Sequence, residues 1–227
     1  MAESRSFDPI WEEKYSAGHM ERYPWDIVVS FVFKNAPRDK PRSKVRILEV
    51  GCGTGSNLWF AAREGFSVAG VDGSASAISA ANKRLQDDGL KGDLRAGNFI
   101  SLPFTDNSFD LVIDRASLTC CGLEMAKKTI SEIHRVLCPG GRFFFNPYSD
   151  RHSSYSAGKH SADGLNLNIC SGTLVGVGQI CFWGKQQVVS ALQEFRLVSL
   201  QHMENEEMLD PGWMIHAEWR AVAEKIE

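Results

Sequence analysis

The feature that most constrains the fold is a short apolar run that ends in glycine at every second position. Residues 47–57 read ILEVGCGTGSN. Glycine has no Cβ and adopts positive φ without steric cost, so Gly51, Gly53 and Gly55 allow a tight turn that brings backbone amides against a ligand. The run predicts a buried strand, a ligand-binding turn and a helix, in that order.

The spacing of these glycines distinguishes between nucleotide ligands. A dinucleotide-binding turn requires G-x-G-x-x-G, and this chain has Ser56 at the place of the third glycine. A second apolar run, FSVAGV at 66–71, ends at Asp72, whose carboxylate could accept both hydroxyls of a ribose. The pattern therefore favours a nucleoside-bearing ligand and disfavours a nicotinamide dinucleotide.

At these residues the chain resembles the class I S-adenosylmethionine-dependent methyltransferases, small-molecule type. The first motif of that family is similar to EVGCGTG at 49–55, and its second strand ends in an acidic residue like Asp72. The resemblance continues through GNFISLPF at 97–104, DNSFDLVID at 106–114 and EIHRVLCPGGR at 132–142. It covers roughly residues 10–150 in the expected order, and it fits the tail after 185 less specifically.

Apolar runs of strand length alternate with amphipathic stretches of helical length from Val45 onward, which predicts an α/β fold with a parallel sheet between helices. Helices are predicted at 56–64, 75–88, 123–138 and 185–194. Strands are predicted at 45–50, 67–71, 94–97, 109–114, 141–146, 195–202 and 213–222. The resemblance implies a Rossmann-like seven-stranded sheet in the order 3-2-1-4-5-7-6, with strand 7 antiparallel and helices on both faces.

A chain of 227 residues that is 43% hydrophobic is long enough to bury a core as a single domain. Aromatic residues among charges near the start predict two helices that flank a loop at Tyr23. The stretch 146–173 is rich in Ser, Gly, Asn and His without a period, which predicts a structureless loop, either a lid or disordered. The expected parts of the domain, 1–227, are an N-terminal helical cap at 1–40, a cofactor-binding core at 45–150, a substrate lid loop at 151–184, and a C-terminal helix with a strand hairpin at 185–227.

The composition limits the classes of molecule that the protein is expected to bind. Lys and Arg number 25 against 28 Asp and Glu, giving a net charge of −3, so nucleic acid is a disfavoured partner. The six cysteines lack CxxC spacing, and no signal peptide or long apolar span is evident, which predicts a reduced cytoplasmic setting without membrane association. Cys120 and Cys121 are expected to be core residues, and no metal is expected. The oligomeric state stays open.

The resemblance implies S-adenosyl-L-methionine as the cofactor and S-adenosyl-L-homocysteine as the product. In that family the glycine turn lies under the methionine and ribose, Asp72 takes the ribose hydroxyls, and Glu49 helps to neutralise the ammonium group. Asn98 stands where relatives often have Asp facing the adenine, and its carbonyl supplies an acceptor. The expected cofactor-binding residues are Tyr15, Trp25, Glu49, Gly51, Cys52, Gly53, Asn57, Asp72, Gly73, Ser74, Asn98, Phe99, Asp114, Arg115 and Ala116.

The sequence says less about the residues that bind the methyl acceptor than about those that bind the cofactor. Transfer from a sulfonium is an in-line displacement in which the protein mainly aligns the reactants and excludes water. A base is needed only where the acceptor is an acidic hydroxyl or a thiol. The catalytic candidates are His19, Tyr148 and His152. Further residues that could border the acceptor are Tyr23, Trp25, Tyr155, His160 and Trp183.

The sequence thus predicts an enzyme that transfers a methyl group from S-adenosylmethionine to an oxygen or nitrogen of a small molecule. A protein or RNA methyltransferase is the alternative if the basic segment 38–46 and Arg151 form one face beside the active-site mouth. A non-catalytic S-adenosylmethionine-binding protein is the second alternative, which a sealed pocket would favour.

Overall fold

The computed structural model describes residues 7–209 and 214–226. The helices are α1 Ile10–Ser16, α2 Asp26–Asn35, α3 Ser56–Arg63, α4 Ala75–Asp87, α5 Leu123–Val136 and α6 Lys185–Ala191. The strands are β1 Arg46–Val50, β2 Ser67–Asp72, β3 Asp93–Ala96, β4 Phe109–Arg115, β5 Leu137–Asn146, β6 Lys159–His160, β7 Leu165–Leu167, β8 Ile180–Cys181, β9 Phe195–Glu206 and β10 Ile215–Lys225.

Seven strands form the central sheet, in the order β3-β2-β1-β4-β5-β10-β9. Neighbouring strands are parallel except at β10, which runs antiparallel to both β5 and β9. The predicted α/β fold, strand order and antiparallel last strand are confirmed. The first residue of the predicted last strand, 213, lies outside the described residues.

The boundary between α5 and β5 differs from the prediction. The predicted helix ended at 138, but α5 ends at Val136 because Leu137 pairs with Phe109 of β4. The register between β4 and β5 then shifts between Phe109 and Leu111, and Arg142 becomes the partner of Leu111. β5 therefore begins before the Pro-Gly-Gly turn.

Both faces of the sheet are covered, so its central strands are apolar on both sides. In β1, Leu48 belongs to a cluster with Phe143 and the buried face of α5. Ile47 belongs to a second cluster with Phe144 and Phe31 of α2. This double burial explains why the sequence shows continuous apolar runs and not alternation.

The stretch predicted as a structureless loop contains regular structure. β6, β7 and β8 form a separate three-stranded antiparallel sheet, and a 3₁₀ helix spans Ser153–Ala157. A small apolar cluster of its own stabilises this region, formed by Ile169, Leu174, Ile180 and Phe182. Strands of two or three residues are too short to display a period, and for that reason the pattern in the sequence was missed.

The two helices of the predicted cap take different positions. α2 packs on the sheet, where the rings of Phe31 and Phe144 stack with their centroids 5.2 Å apart. α1 lies against α4, and the carboxylate of Glu12 accepts hydrogen bonds from the hydroxyls of Ser74 and Ser76, each at 2.5 Å. Among the described residues, no helix combines the length and the apolar character that a membrane crossing needs.

Candidate functional site

The glycine turn lies where the chain order of the sheet reverses, because β1 has β2 on one side and β4 on the other. Gly51, Gly53 and Gly55 have φ values of 65°, 51° and 73°. A Cβ on Gly51 would lie 2.2 Å from the Cβ of Ser117. Open α/β sheets bind their ligands at such a reversal, beyond the carboxyl ends of the strands.

Two clefts open at this edge of the sheet. We call the first the aromatic cleft; its empty volume is about 530 Å³, and it is lined by Phe7, Asp8, Trp11, Tyr15, Gly51, Asp72, Gly73, Phe99, Arg115, Ala116, Ser117 and Cys120. We call the second the turn cleft, which is lined by Tyr15, Glu21, Trp25, Glu49, Gly51, Cys52, Gly53, Thr54, Ser56, Asn57 and Arg115. The two clefts share Tyr15, Gly51 and Arg115, so they are adjoining parts of one groove.

Asp72 ties the end of β2 to the glycine turn. Its Oδ2 accepts a hydrogen bond from the amide of Gly53 at 2.8 Å, and its Oδ1 accepts one from the amide of Ser74 at 2.8 Å. Burial raises the pKa of this carboxyl above its ordinary value, while the two amides oppose the shift. Asp72 lines the aromatic cleft, and its binding of ribose hydroxyls stays a prediction.

Glu49 is a buried carboxylate with one unused oxygen. Asn57 donates a hydrogen bond to its Oε1 at 2.6 Å, and the amide of Trp25 donates to the Oδ1 of Asn57 at 3.0 Å, which links the cap to the end of β1. Its Oε2 has no hydrogen-bond partner among the described residues. Burial raises the pKa of Glu49 to about 8. A cationic ligand in the turn cleft would supply the missing partner.

Asp114 repeats this arrangement at the end of β4. Its Oδ1 accepts hydrogen bonds from the amides of Ser117 and Leu118, at 3.0 and 2.9 Å, and from the Ser117 hydroxyl. Its Oδ2 is buried without a partner in the described ranges, and burial raises the pKa of the group. These bonds fix a turn in which Ala116 has φ 57°, an unusual conformation for a residue with a Cβ.

Arg115 lines both clefts and lies at their junction. Its guanidinium lies over the ring of Trp25, 4.0 Å from the centroid, and its side chain is 8% exposed. The Nη2 atom lies 3.8 Å from a carboxylate oxygen of Glu218 on β10. The Nε atom is buried and lacks a hydrogen-bond partner in the part of the chain that the structure describes.

The cap helix α1 places Tyr15 above the glycine turn. The Tyr15 hydroxyl lies 2.7 Å from the position that a Cβ on Gly53 would take. Burial and the carboxylate of Asp72 raise the pKa of Tyr15. Cys52 is buried beside the turn, and burial raises the pKa of its thiol.

The remaining predicted cofactor residues lie at the side of Asp72. Phe99 is buried and lines the aromatic cleft, but Asn98 is exposed, and its Oδ1 accepts a hydrogen bond from the amide of Ile100 at 3.1 Å. A Cβ on Gly73 would lie 2.2 Å from the Phe7 ring. Ser74 is fully buried as the N-cap of α4.

The structure places the three catalytic candidates outside the lining of both clefts. His19 is exposed beyond the end of α1. His152 is buried, its Nδ1 accepts a hydrogen bond from the amide of Ser154 at 3.0 Å, and its Nε2 lies 3.2 Å from the Thr173 hydroxyl. Burial and the neighbouring His216 lower the pKa of His152 to about 4. Tyr148 lies behind Arg115, which contacts its hydroxyl.

Of the other acceptor candidates, Trp25 lines the turn cleft, and the remaining four lie away from the groove. Tyr23 and Tyr155 are exposed by 76% and 39%, and His160 is exposed at the edge of the small sheet. Trp183 is completely buried, with its ring centroid 5.1 Å from that of Phe145. These positions indicate structural or surface roles.

Sequence reasoning missed several residues that line the aromatic cleft. Ser117 and Cys120 follow the end of β4 directly, so their position after Asp114 was the available signal. Asp8 had no local signal, because it acquires its place through a contact with the distant residue Gln179, whose amide donates to its Oδ2 at 2.9 Å. The cleft-lining residues absent from the prediction are Phe7, Asp8, Trp11, Glu21, Thr54, Ser56, Ser117 and Cys120.

Comparison with known proteins agrees with this architecture. Residues 48–145 match the family model described as a methyltransferase domain. The solved structure of a SAM-dependent methyltransferase from Methanosarcina mazei superimposes with a TM-score of 0.69 at 21% identity, covering 90% of this chain and 99% of that one. Residues 48–145 therefore carry a methyltransferase domain, and the chain has the fold of the solved methyltransferase structure.

Two curated relatives are similar over the same region. A demethylmenaquinone methyltransferase from Symbiobacterium thermophilum is 35% identical over 133 residues, which are 56% of this chain and 49% of that protein. A probable tocopherol O-methyltransferase from Oryza sativa subsp. japonica is 30% identical over 143 residues, which are 61% of this chain and 38% of that protein. The chain thus spans less than half the length of these relatives.

S-adenosyl-L-methionine is the cofactor of this class of domain, and the described residues fit it. The turn cleft offers the unpartnered oxygen of Glu49 to an ammonium group. At Gly51 and Gly53 an added Cβ would collide with Ser117 and Tyr15, so both positions of the turn require glycine. Asp72 and Phe99 lie together in the adjoining cleft, as a ribose and a base require.

Proposed function

We propose that this protein transfers a methyl group from S-adenosyl-L-methionine to an oxygen or nitrogen of a small molecule. The observation that carries the proposal is the continuous groove, in which the glycine turn and the unpartnered carboxylate oxygen of Glu49 adjoin the aromatic cleft through Tyr15 and Arg115. One part of the groove suits the cofactor, and the other leaves room for an acceptor.

Each residue at the turn has a distinct task in binding. Glu49 and Asp114 would neutralise the ammonium group, because each keeps a buried oxygen without a partner. Asp72 would accept the ribose hydroxyls, and Phe99 would lie beside the adenine. Asn98 would face the adenine only after a change of its side-chain position, since it is exposed and bonded to its own turn.

The bound cofactor supplies a methyl group on a sulfonium, which needs alignment and the exclusion of water. Tyr15 and Trp25 close the groove from the side of the cap, and the left-handed Ala116 holds the backbone after β4 in place. The buried His152 has both ring nitrogens engaged and a pKa of about 4, so it is not the base.

A small acceptor is favoured over a protein or RNA by the position of the charges. The basic segment 38–46 precedes β1, so it lies at the opposite edge of the sheet from the groove. Lys40 and Arg42 there are paired with Asp110 and Glu64. Arg151 is paired with Glu204 on β9, so it does not join that segment.

The two relatives named for menaquinone and tocopherol chemistry support an acceptor of similar size. We further propose that residues 151–184, with their own small sheet and apolar cluster, support the groove from outside its lining, through the Gln179 amide that donates to Asp8.

The first test is calorimetric titration with S-adenosylmethionine and S-adenosylhomocysteine, with NAD as a control, followed by a screen of small acceptors with labelled cofactor. Micromolar binding of the first two without binding of NAD, and methylation of a small acceptor, is the expected result. Binding without transfer to any acceptor would favour a non-catalytic binding protein, and transfer to protein or RNA alone would overturn the small-molecule assignment.

A further inference from the structure

Arg115 has properties that cofactor binding alone does not require. Among the residues that line either cleft in the described ranges, it is the one cation; the other charged groups there are Asp8, Glu21, Glu49 and Asp72. A guanidinium buried to this extent needs hydrogen-bond acceptors on its donors, yet the Nε atom has none in the described structure.

The partners that Arg115 already has, the Tyr148 hydroxyl among them, hold its side chain in place but leave Nε without an acceptor in the described structure. Trp25 packs on the flat face of the guanidinium, which fixes its plane and leaves its edge free for in-plane hydrogen bonds. Glu218 is 3.8 Å away, beyond hydrogen-bond distance, and is bound more closely by Arg220 at 2.6 Å. His216 takes the other oxygen of Glu218 at 3.5 Å.

The acidic residues near Arg115 have other tasks. Both carboxylate oxygens of Asp8 accept backbone amides, from Ile10 at 3.2 Å and from Gln179 at 2.9 Å. Asp72 binds the turn, and Glu49 keeps its free oxygen on the side of the turn cleft. Glu218 and Asp114 supply negative charge near Arg115, but the Nε donor still has no acceptor in the described ranges, and a ligand at the junction of the two clefts would supply one.

We propose that Arg115 binds an ionised oxygen of the acceptor, and that the acceptor is an aromatic acid in its anionic form, a phenolate or an arenecarboxylate. This inference rests on the proposed function. The aromatic walls Trp11 and Tyr15 suit a ring, and a charge-assisted bond from Arg115 holds its oxygen at the junction of the clefts.

The methyl-transfer step balances with such an acceptor. A lone pair of the ionised oxygen forms the new carbon–oxygen bond, and the electron pair of the carbon–sulfur bond goes to sulfur, leaving a neutral thioether. No proton leaves in this step, so no general base is needed at the moment of transfer. This agrees with the absence of a histidine from the described lining of both clefts.

The test uses the full chain saturated with S-adenosylhomocysteine and matched anionic and neutral probes. Benzoate is compared with benzamide, and 4-nitrophenolate with nitrobenzene, by calorimetric titration. We expect each anion to bind at least ~10-fold more tightly than its neutral partner, with the preference reduced in Arg115→Lys and lost in Arg115→Met. Arg63→Met is the matched control, because Arg63 is an exposed arginine over a tryptophan ring, 4.9 Å from its centroid.

Several results would overturn the proposal. Equal affinity for anion and neutral probe in the wild type, or no binding of either anion, would do so without any variant. A second arm compares S-adenosylhomocysteine with 5′-methylthioadenosine, which lacks the amino acid. If Arg115→Met weakens binding of the first alone and the anion preference persists, Arg115 binds the cofactor carboxylate instead. Failure of S-adenosylhomocysteine to bind the wild type would refute the proposed function itself.

Discussion

The turn cleft and the aromatic cleft meet at Arg115 but are built from different kinds of sequence. The turn cleft comes mostly from one motif, 49–57, together with Arg115 and the cap residues Tyr15, Glu21 and Trp25. The aromatic cleft draws on segments that are far apart, such as Asp8 and Cys120. The glycine turn is thus a local pattern, whereas the aromatic cleft, which also contains Asp72 and Phe99, is assembled by tertiary contacts.

The largest effect is expected at the glycine turn. Gly51→Ala places a Cβ 2.2 Å from Ser117 at a φ of 65°, so it should destabilise the protein by about 3 kcal/mol through overpacking and backbone strain. Gly65→Ala is the control, since it has a φ of 87° with nothing within 4 Å, and should cost about 1 kcal/mol. Urea unfolding of both variants measures the difference; equal losses would show that the turn is not tightly packed.

Glu49 should lower the stability of the cofactor-free protein at high pH and strengthen cofactor binding. The raised folded pKa of about 8 means that only the unfolded chain ionises Glu49 between pH 4.5 and 8, so stability falls as pH rises through that window. Glu49→Gln removes this loss and should stabilise the cofactor-free protein at pH 8 by roughly 2–4 kcal/mol, while weakening cofactor binding. Thermal unfolding at pH 5 and pH 8 tests this. A variant that is equally or less stable at pH 8 would contradict the burial argument.

Asp72→Ala should weaken S-adenosylhomocysteine binding by roughly 1–3 kcal/mol, the cost of leaving polar partners unpaired. Asp87→Ala on the outer surface of α4 is the matched control, because its exposed carboxylate is paired with Lys83 on the same helix. Calorimetry on both variants gives the comparison, and unchanged affinity in Asp72→Ala would refute the ribose role.

The smallest effect is expected in the region 147–184, which contains His152 and the small sheet. The folded pKa of His152 is about 4, below its ordinary value of 6.5, so the stability it contributes is present above pH 6.5 and is lost as pH falls toward 4. At pH 5 the region 147–184 should open more easily by about 1 kcal/mol, with solvent screening allowed for. Hydrogen exchange at pH 5 and 7 measures this, with His152→Gln as the variant that should abolish the difference. An equal increase in the exchange of the β1 amides at pH 5 would show that this region and the central sheet do not open independently.

Sequence patterns predicted the fold because the central strands are buried on both faces, and the strand order came from the resemblance. They located the turn because Gly51, Glu49 and Asp72 occupy fixed positions at strand ends. Asp8 was missed because it is fixed by a contact with a residue 171 positions away. Arg115 was identified, but its burial depends on Trp25 and Glu218, which neither spacing nor composition connects to it.

Because of the position of β10, parts of the groove form at different stages of synthesis. The strands β1, β2 and β4, which carry the glycine turn, pair with one another within residues 46–115. β10 is the last described strand along the chain, yet it inserts between β5 and β9 and brings Glu218 to Arg115. Folding from the amino-terminal end as the chain leaves the ribosome therefore forms the nucleotide pocket first. Arg115 gains its ion pair with Glu218 only when residue 218 emerges, so the junction of the two clefts is completed last.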